Sequence, residues 1–318
     1  MTKKRITLYV AVFTLGIFFV SCNKEGLYNP KKKIEKIYSS MEHKSEYYNN
    51  GSWNVEHDFV YPKYLAETWN WDGEHLKSIA YFTWQGFPDG VETFEYEGNR
   101  LSAISWSDGE RFVINYEKGV ISSIEGFNRA EKTVHYEFTH KNGKIRNIKI
   151  WDYANKKESG SMRSANTLRF FIPSAETKSL AAMMTEMQER MDEKLISTYD
   201  IDLEWDGKNV SKVTYQLKDH SISYEYSYDN NENPFYGLFE SDEMRKDLIR
   251  SASFGEWILS KNNVISTTHT SSDTNTSSVL TFDFTYEGRY PTMRSYYDSY
   301  TGDNIRITNS EVLYYEYK

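Results

Sequence analysis

With 318 residues, the chain is long enough for one large domain or two ordinary ones, and with only 6 Pro and 17 Gly it is neither collagen-like nor a low-complexity disordered chain. A formal net charge of −8 repels phosphate backbones and sets nucleic acid aside as a partner. A single cysteine rules out an intramolecular disulfide and a thiolate metal cluster.

The chain opens on a basic stretch, Met1–Arg5, followed by an apolar run, Ile6–Val20, broken only by Thr14 and Gly16. That run suits a secretion channel and is short of the roughly 20 residues of a stable bilayer span. Phe19-Val20-Ser21-Cys22 comes next. A small residue before the Cys resembles a bacterial lipobox, with Phe19 in place of the usual Leu. Residues 1–21 are therefore the expected lipoprotein signal peptide and Cys22 the expected lipidation site; an uncleaved anchor helix is the alternative. Cleavage removes Lys3, Lys4 and Arg5, leaving 35 basic residues against 46 acidic ones and a net charge near −11. Several acyl chains on one Cys anchor far more firmly than one. Residues 22–33, with Asn29-Pro30 and Lys31-Lys32-Lys33, form the expected polar tether. Lys24-Glu25 resembles the export signal that sends lipoproteins of the Bacteroidota to the cell surface.

From Glu67 onward one phrase recurs. Glu67–Phe82 carries Trp69 and Trp71, then Asp72-Gly73, then Leu76 and Ile79. Glu92–Trp106 repeats it with Phe94 and Tyr96, Glu97-Gly98-Asn99, and Leu101 and Ile104. Arg111–Phe127 turns at Lys118-Gly119, Thr133–Trp151 at Asn142-Gly143, and Ile201–Tyr215 at Asp206-Gly207. Tyr224–Tyr228 leads into a turn at Asp229–Asn233, and Phe282–Tyr286 into Glu287-Gly288. Aromatic and β-branched residues suit a pleated surface, and Gly and Asn accept the positive φ of tight turns. Each phrase predicts a β-hairpin. The anchoring aromatics Trp71, Tyr96, Tyr116 and Phe138 lie 20 to 25 residues apart, the period of a repeat architecture. Leu101 and Ile104 have opposite parity, so either a bulge follows each turn or both faces are covered.

Three stretches break the period. Ser174–Leu195 predicts a helix, with Leu180, Met183, Met184, Met187, Met191 and Leu195 on one face. Phe235–Ile258 holds a shorter helix at Ser241–Arg250, and Ser266–Ser278 is a polar loop, either disordered or the tip of a long hairpin. The expected fold is all-β: a curved antiparallel meander of repeated β-hairpins, about 14 to 18 strands over residues 34–318, with one helical insertion at about 174–195.

These phrases resemble the YD (Rhs-type) repeats of bacterial surface proteins, whose Tyr-Asp/Glu-x-x-Gly-x-Leu-x-x-Ile units form long β-hairpins. Tyr226-Ser227-Tyr228-Asp229 with Asn233-Pro234-Phe235-Tyr236-Gly237, Leu259-Ser260-Lys261-Asn262-Asn263, and Tyr286-Glu287-Gly288-Arg289-Tyr290-Pro291-Thr292 are similar to a lipoprotein domain family of the Bacteroidota, described as a domain of unknown function. The resemblance spans Glu67 to the C-terminus. It implies a secreted, mostly β lipoprotein and supplies no catalytic residue.

No motif carries a cofactor, a metal or catalysis. The seven His lack the helical spacing of a zinc protease, and no nucleophile elbow or phosphate loop occurs. Asp229–Asn233 has the polar density of a calcium loop, but Pro234 replaces the needed Gly and no closing Glu follows; a hairpin turn is the preferred reading. Paired carboxylates for glycan hydrolysis require only a separation in space, which 46 acids neither establish nor exclude. Trp84, Phe87, Tyr296, Tyr297 and Tyr300 sit at or beside turns and are the candidate ligand-binding residues, for a glycan or an envelope protein; core packing is the alternative. For Trp84 and Phe87, in the link Thr83–Gly90, capping of the sheet's end is preferred. The expectation is a non-enzymatic, lipid-anchored binding module of the outer membrane, facing the periplasm or the cell surface. A structural or assembly accessory of that membrane, or a glycan-processing hydrolase, are the alternatives.

Overall fold

The computed structural model describes residues 28–49, 51–153, 197–216, 220–238, 259–272, 276–301 and 305–318. These form sixteen strands: β1 (Ile34–Asn49), β2 (Ser52–Asp72), β3 (His75–Phe82), β4 (Pro88–Glu97), β5 (Arg100–Trp106), β6 (Glu110–Glu117), β7 (Val120–Asn128), β8 (Glu131–Lys141), β9 (Lys144–Asp152), β10 (Ser197–Asp206), β11 (Asn209–Gln216), β12 (Ser221–Tyr228), β13 (Val264–Ser271), β14 (Thr276–Glu287), β15 (Tyr290–Thr301) and β16 (Ile305–Tyr317). Each pairs antiparallel with its neighbours in chain order, and β1 pairs with β16, closing the sheet into a barrel. The fold is thus all-β, and the meander's curvature runs to full closure, which leaves no end strand. The helices expected at Ser174–Leu195 and Ser241–Arg250 lie outside the described residues, as do the leader and Cys22.

Side chains alternate between the two faces of the wall. On β4, Glu92 and Phe94 are buried, whereas Val91, Thr93 and Glu95 are exposed. On β6, Phe112 and Ile114 point in and Asn115 and Glu117 point out. The inward residues join in one contiguous apolar cluster around most of the ring. Burying a large aliphatic or aromatic side chain of this kind stabilises by about 1.5–3 kcal/mol. Connecting segments complete the filling at the lower end, the end of the Gly-containing turns. Tyr28 donates to Pro234 O at 2.7 Å and lies 5.7 Å from Trp71, and Phe235 packs 6.1 Å from Trp69. The outer wall carries charge in mid-strand: Arg111 pairs with Glu95 at 2.8 Å, Lys132 with Glu125 at 2.6 Å and Lys212 with Glu225 at 2.8 Å. A bilayer-spanning barrel turns an apolar band outward. This one turns most of its apolar residues inward and carries these ion pairs on its outer face, where Val60, Val279 and Tyr297 are also exposed.

The parity conflict resolves as a bulge. Tyr96 pairs with Leu101 but Glu95 with Ala103, so Ser102 is an extra residue that returns Ile104 to Leu101's face. The same shift occurs before Trp71, Tyr116, His140, Trp205, Tyr228 and Tyr286. In the β8–β9 hairpin the anchor position therefore belongs to His140 rather than Phe138, which lies two residues deeper, opposite Ile148. Hydroxyls of the extra residues close the gap: Ser102, Ser122 and Thr292 each donate across the bulge at 3.2 Å, to Glu95 O, Asn115 O and Thr285 O.

The anchoring aromatic then ties its hairpin to the strand before it. Trp71 Nε1 donates to Ile34 O at 2.7 Å, Tyr96 OH to Leu76 O at 3.0 Å, and Tyr116 OH to Leu101 O at 2.7 Å. Trp205 Nε1 does the same to Ile145 O at 2.7 Å, Tyr228 OH to Val210 O at 2.5 Å, and Tyr317 OH to Pro291 O at 2.8 Å. Each such bond contributes about 1 kcal/mol, and losing the donor strands a carbonyl. Burial pushes the Tyr96 hydroxyl up to about 12, so the donor keeps its proton at neutral pH.

Two strand glycines let aromatics lie flat on the wall. A Cβ on Gly90 would meet Trp106 Cζ2 at 2.0 Å, and one on Gly126 would meet Val134 Cγ1 at 2.5 Å and Phe112 Cε1 at 2.9 Å. Of the two readings of Ser266–Ser278, the long hairpin holds, with more of it strand than loop: β13 pairs with β14 from Ser266↔Thr281 to Ser271↔Thr276. Its inward side chains Thr267, His269 and Ser271 are buried although polar.

Candidate functional site

The barrel is lopsided. Strands β14, β15, β16, β1 and β2 run 12, 12, 13, 16 and 21 residues, against 7 to 11 for β3–β12. The longer strands make a tall wall whose upper inner face stands beyond the rim of the shorter ones. Register sets that face in rows across β15, β16, β1 and β2. Deepest is Arg294, Leu313, Ser39 and Tyr64, then Tyr296, Glu311, Met41 and Tyr61. Asp298, Asn309, His43 and Phe59 follow, and uppermost are Tyr300, Ile307, Ser45 and His57.

The deep rows are closed. Arg294 is buried with its guanidinium 4.2 Å above the Phe282 ring. Glu311 is 1% exposed and accepts from Ser39 Oγ at 3.1 Å. Two neighbouring carboxylates are held the same way, Glu67 by Trp69 Nε1 at 2.8 Å and Glu92 by Tyr81 OH at 3.0 Å. Tyr296 is core rather than platform: it is buried, packs 6.1 Å from Phe282, and burial drives its hydroxyl well above the usual phenol range.

The upper rows are open and aromatic. Phe59 is 44% exposed and stands near-parallel to His57 (5.4 Å, 19°), Tyr61 (6.3 Å, 11°) and His43 (6.3 Å, 21°). His43 Nδ1 lies 2.6 Å from Asn309 Oδ1, so the imidazole donates through Nδ1–H and is fixed to the wall. Next in that row is Asp298, half-buried, whose carboxyl is pushed up by burial. Trp84 extends the series from the β3–β4 link, 5.0 Å from Tyr61 and 51% exposed. The link is a tight turn of its own: Thr83 N donates to Phe87 O at 2.9 Å, Gly86 N to Thr83 O at 2.8 Å, and Phe87 N to Thr83 Oγ1 at 3.2 Å. Those bonds hold Trp84 at the mouth with half its surface in water. They do not fold it down as a cap.

The other expected residues fall elsewhere. Phe87 shares the link with its ring 63% exposed, and Tyr297 is equally exposed but on the outer wall, the opposite face from Tyr296. Tyr300 has its register position opposite Ile307, and its side chain is outside the described residues. Trp84 is thus joined to a set the sequence reading missed: His43, His57, Phe59, Tyr61 and Asn309. Two signals pointed to it, the Asn50-Gly51 turn and the alternation His57-x-Phe59-x-Tyr61.

The free edge of β2 lies beside this face. Its pairing with β3 runs only from Glu67 to Asp72, so among the described residues Trp53–Tyr64 pairs on one side alone. Register shifts at Ser45/Glu46, Ser39/Met41 and Ile37/Tyr38 interrupt that stretch, which also contains Glu56, Asp58, Pro62 and Lys63. Bulges, charge and proline blunt an edge against strand addition. What remains on offer is the side-chain surface.

The Asp229 turn is a structural clamp. Asp229 Oδ1 accepts from the backbone N of Asn231 (3.0 Å) and Asn263 (3.1 Å), and Oδ2 from Asn231 Nδ2 (3.3 Å), Asn263 Nδ2 (3.2 Å) and Tyr286 OH. A carboxylate with five protein donors has no lone pair left for a cation. Around it Asn233 Nδ2 donates to Ser260 O at 2.9 Å and Asn262 Nδ2 to Asn231 O at 2.7 Å, tying the Asn-Pro-Phe and Ser-Lys-Asn-Asn phrases together. Among the described residues no His, Cys, Asp and Glu cluster could hold a metal ion.

No family model matches the chain, and no curated protein does. Among solved structures it is similar to a porin-like protein from Bacteroides uniformis, with 10% identity, a TM-score of 0.48 and coverage of 90% of this chain and 98% of that one. It is also similar to a porin-like protein from Bacteroides vulgatus, with 11% identity, a TM-score of 0.42 and coverage of 86% and 97%. Neither likeness bears on function.

Proposed function

We propose that this protein is a non-enzymatic binding lipoprotein of the outer membrane, lipid-anchored at Cys22, that presents the upper inner face of its tall wall to a ligand. The observation that carries the reading is the ring series His57, Phe59, Tyr61 and Trp84, with Phe59 44% and Trp84 51% exposed, on a wall fixed by pairing on β1 and β16. Exposed aromatics grouped on a rigid scaffold forgo burial and mark recognition surfaces. The charged outer wall supports attachment through an acylated N-terminus rather than through the barrel itself. Three buried carboxylates, Glu67, Glu92 and Glu311, are at most 1% exposed and lie out of a polymer's reach.

The test is a photo-crosslinking residue placed at Phe59, with a second at Glu225 on the outer wall, in intact cells. Saturable adducts at position 59 and none at 225 are expected. Equal labelling at both, or none at 59, overturns the reading. Adducts confined to 225 point instead to an assembly accessory that uses the outer wall.

A further inference from the structure

We infer that the ligand of this face is an uncharged glycan chain, laid across Phe59 and Trp84 and hydrogen-bonded by the His43–Asn309 pair; the inference rests on the binding reading above. Three observations lead there. Sugar rings offer apolar C–H faces bordered by hydroxyls, and the upper rows offer the complement: aromatic rings with a fixed imidazole, an amide and a half-buried carboxyl beside them. Asp298, its carboxyl pushed up by burial, is suited to exchange hydrogen bonds with a hydroxyl. Secondly, an extended peptide would be recognised through the β2 edge, and that edge is broken by register shifts flanking Glu56, Pro62 and Ala66. Thirdly, the chain's net charge of −8 repels a polyanion, so uronic-acid and sulfated chains are poor candidates.

The face has a closed floor. Its floor is the sealed row of Tyr296 and Glu311, so a chain rests on the rings and does not thread the barrel. The orienting polar group comes from the wall: His43 spends Nδ1 on Asn309, and Nε2 is the ring nitrogen not used in that bond. A sugar hydroxyl donating to Nε2 while its ring stacks on Phe59 meets both requirements at one place.

The experiment is native affinity electrophoresis of the mature lipidated protein in detergent, with amylose, laminarin, xyloglucan and galactomannan as neutral probes and polygalacturonate as the acidic one. Retardation by at least one neutral polysaccharide and none by polygalacturonate is expected. Phe59→Ala and Trp84→Ala should each weaken that binding at least tenfold, while Tyr297→Ala on the outer wall leaves it unchanged. Both binding-face residues are about half exposed, so the variants fold; an unchanged circular dichroism melt verifies it. His43→Gln, which keeps a side-chain donor and acceptor without the ring, should lose less than Phe59→Ala. Failure of all four neutral probes, equal retardation by polygalacturonate, or full binding by the two alanine variants overturns the inference. Saturable crosslinks at position 59 together with that failure leave a binding module whose ligand is a protein; absent crosslinks remove both readings.

Discussion

Gly90→Ala tests whether the barrel's interior is fixed by shape rather than by hydrophobicity alone. The new methyl carbon would stand 2.0 Å from Trp106 Cζ2, 2.8 Å from Cε2 and 2.9 Å from Cη2. The indole cannot simply swing aside, because it is 6% exposed and packs 5.2 Å from Tyr81 at its back. Overpacking of this kind costs about 1–3 kcal/mol. Against it stands the gain from a stiffer unfolded chain, about 0.4–1 kcal/mol for Gly→Ala at an unstrained φ. A net loss of about 1–2 kcal/mol follows from the two. Urea denaturation at constant m-value measures it, and the decisive comparison is a double-mutant cycle with Trp106→Phe. A phenyl ring removes the atoms that the methyl strikes, so in that background Gly90→Ala should be neutral or stabilising. Equal losses in both backgrounds, or no loss in the parent, would refute the argument.

Two further outcomes follow from the clasps and the charges. Tyr116→Phe deletes the 2.7 Å bond to Leu101 O and strands a carbonyl in the wall, at a cost of about 1–2 kcal/mol with unchanged secondary structure by circular dichroism. Burial, helped by the Lys132 charge, holds the His135 imidazolium below its ordinary value although Glu125 lies 3.7 Å away. The unfolded chain therefore takes up that proton first, and stability falls as pH drops below about 6.5; His135→Gln should remove that part of the loss, read as a parent–variant difference that shrinks or reverses between about pH 7.5 and about pH 5.5.

The repeating hairpins were legible because each one states its turn and its packing in neighbouring residues. Asn142-Gly143 has positive φ at both positions, 55° and 71°, as that dipeptide in a tight hairpin should. Even the bulge was visible, as the parity conflict between Leu101 and Ile104. The tall wall was not legible in the same way. Its inward positions Ser39, Met41, His43 and Ser45 on β1, like Thr267, His269 and Ser271 on the adjoining β13, carry few apolar groups, so an apolar alternation never forms. Strand length there is set by pairing to a neighbour, β1 to β16 and β13 to β14, which no local pattern reports. Closure was hidden for a related reason. Whether a curved meander joins its ends depends on the accumulated twist of all sixteen strands, whereas each hairpin specifies only its own. Trp84 drew notice for its place in a link, but its neighbour Tyr61 comes from β2, on the far side of the β2–β3 turn, and only register places Tyr61 and Phe59 on one face.

Six hydrogen bonds from an anchoring aromatic to a carbonyl of the preceding strand make much of the barrel a ring of like staves. Each such stave brings the group that seals its neighbour; the hairpins of His140 and Tyr286 depart from the rule, Tyr286 spending its hydroxyl on Asp229. A whole hairpin can thus be added or lost with the account of donors and acceptors unchanged, and the ring widens or narrows by two strands at a time. Half a stave cannot be exchanged, because an antiparallel ring closes only on an even number. Gene duplication in units of one hairpin is then enough to alter the bore, while the tall wall, where β1 meets β16, stays outside that exchange and keeps its aromatic upper face.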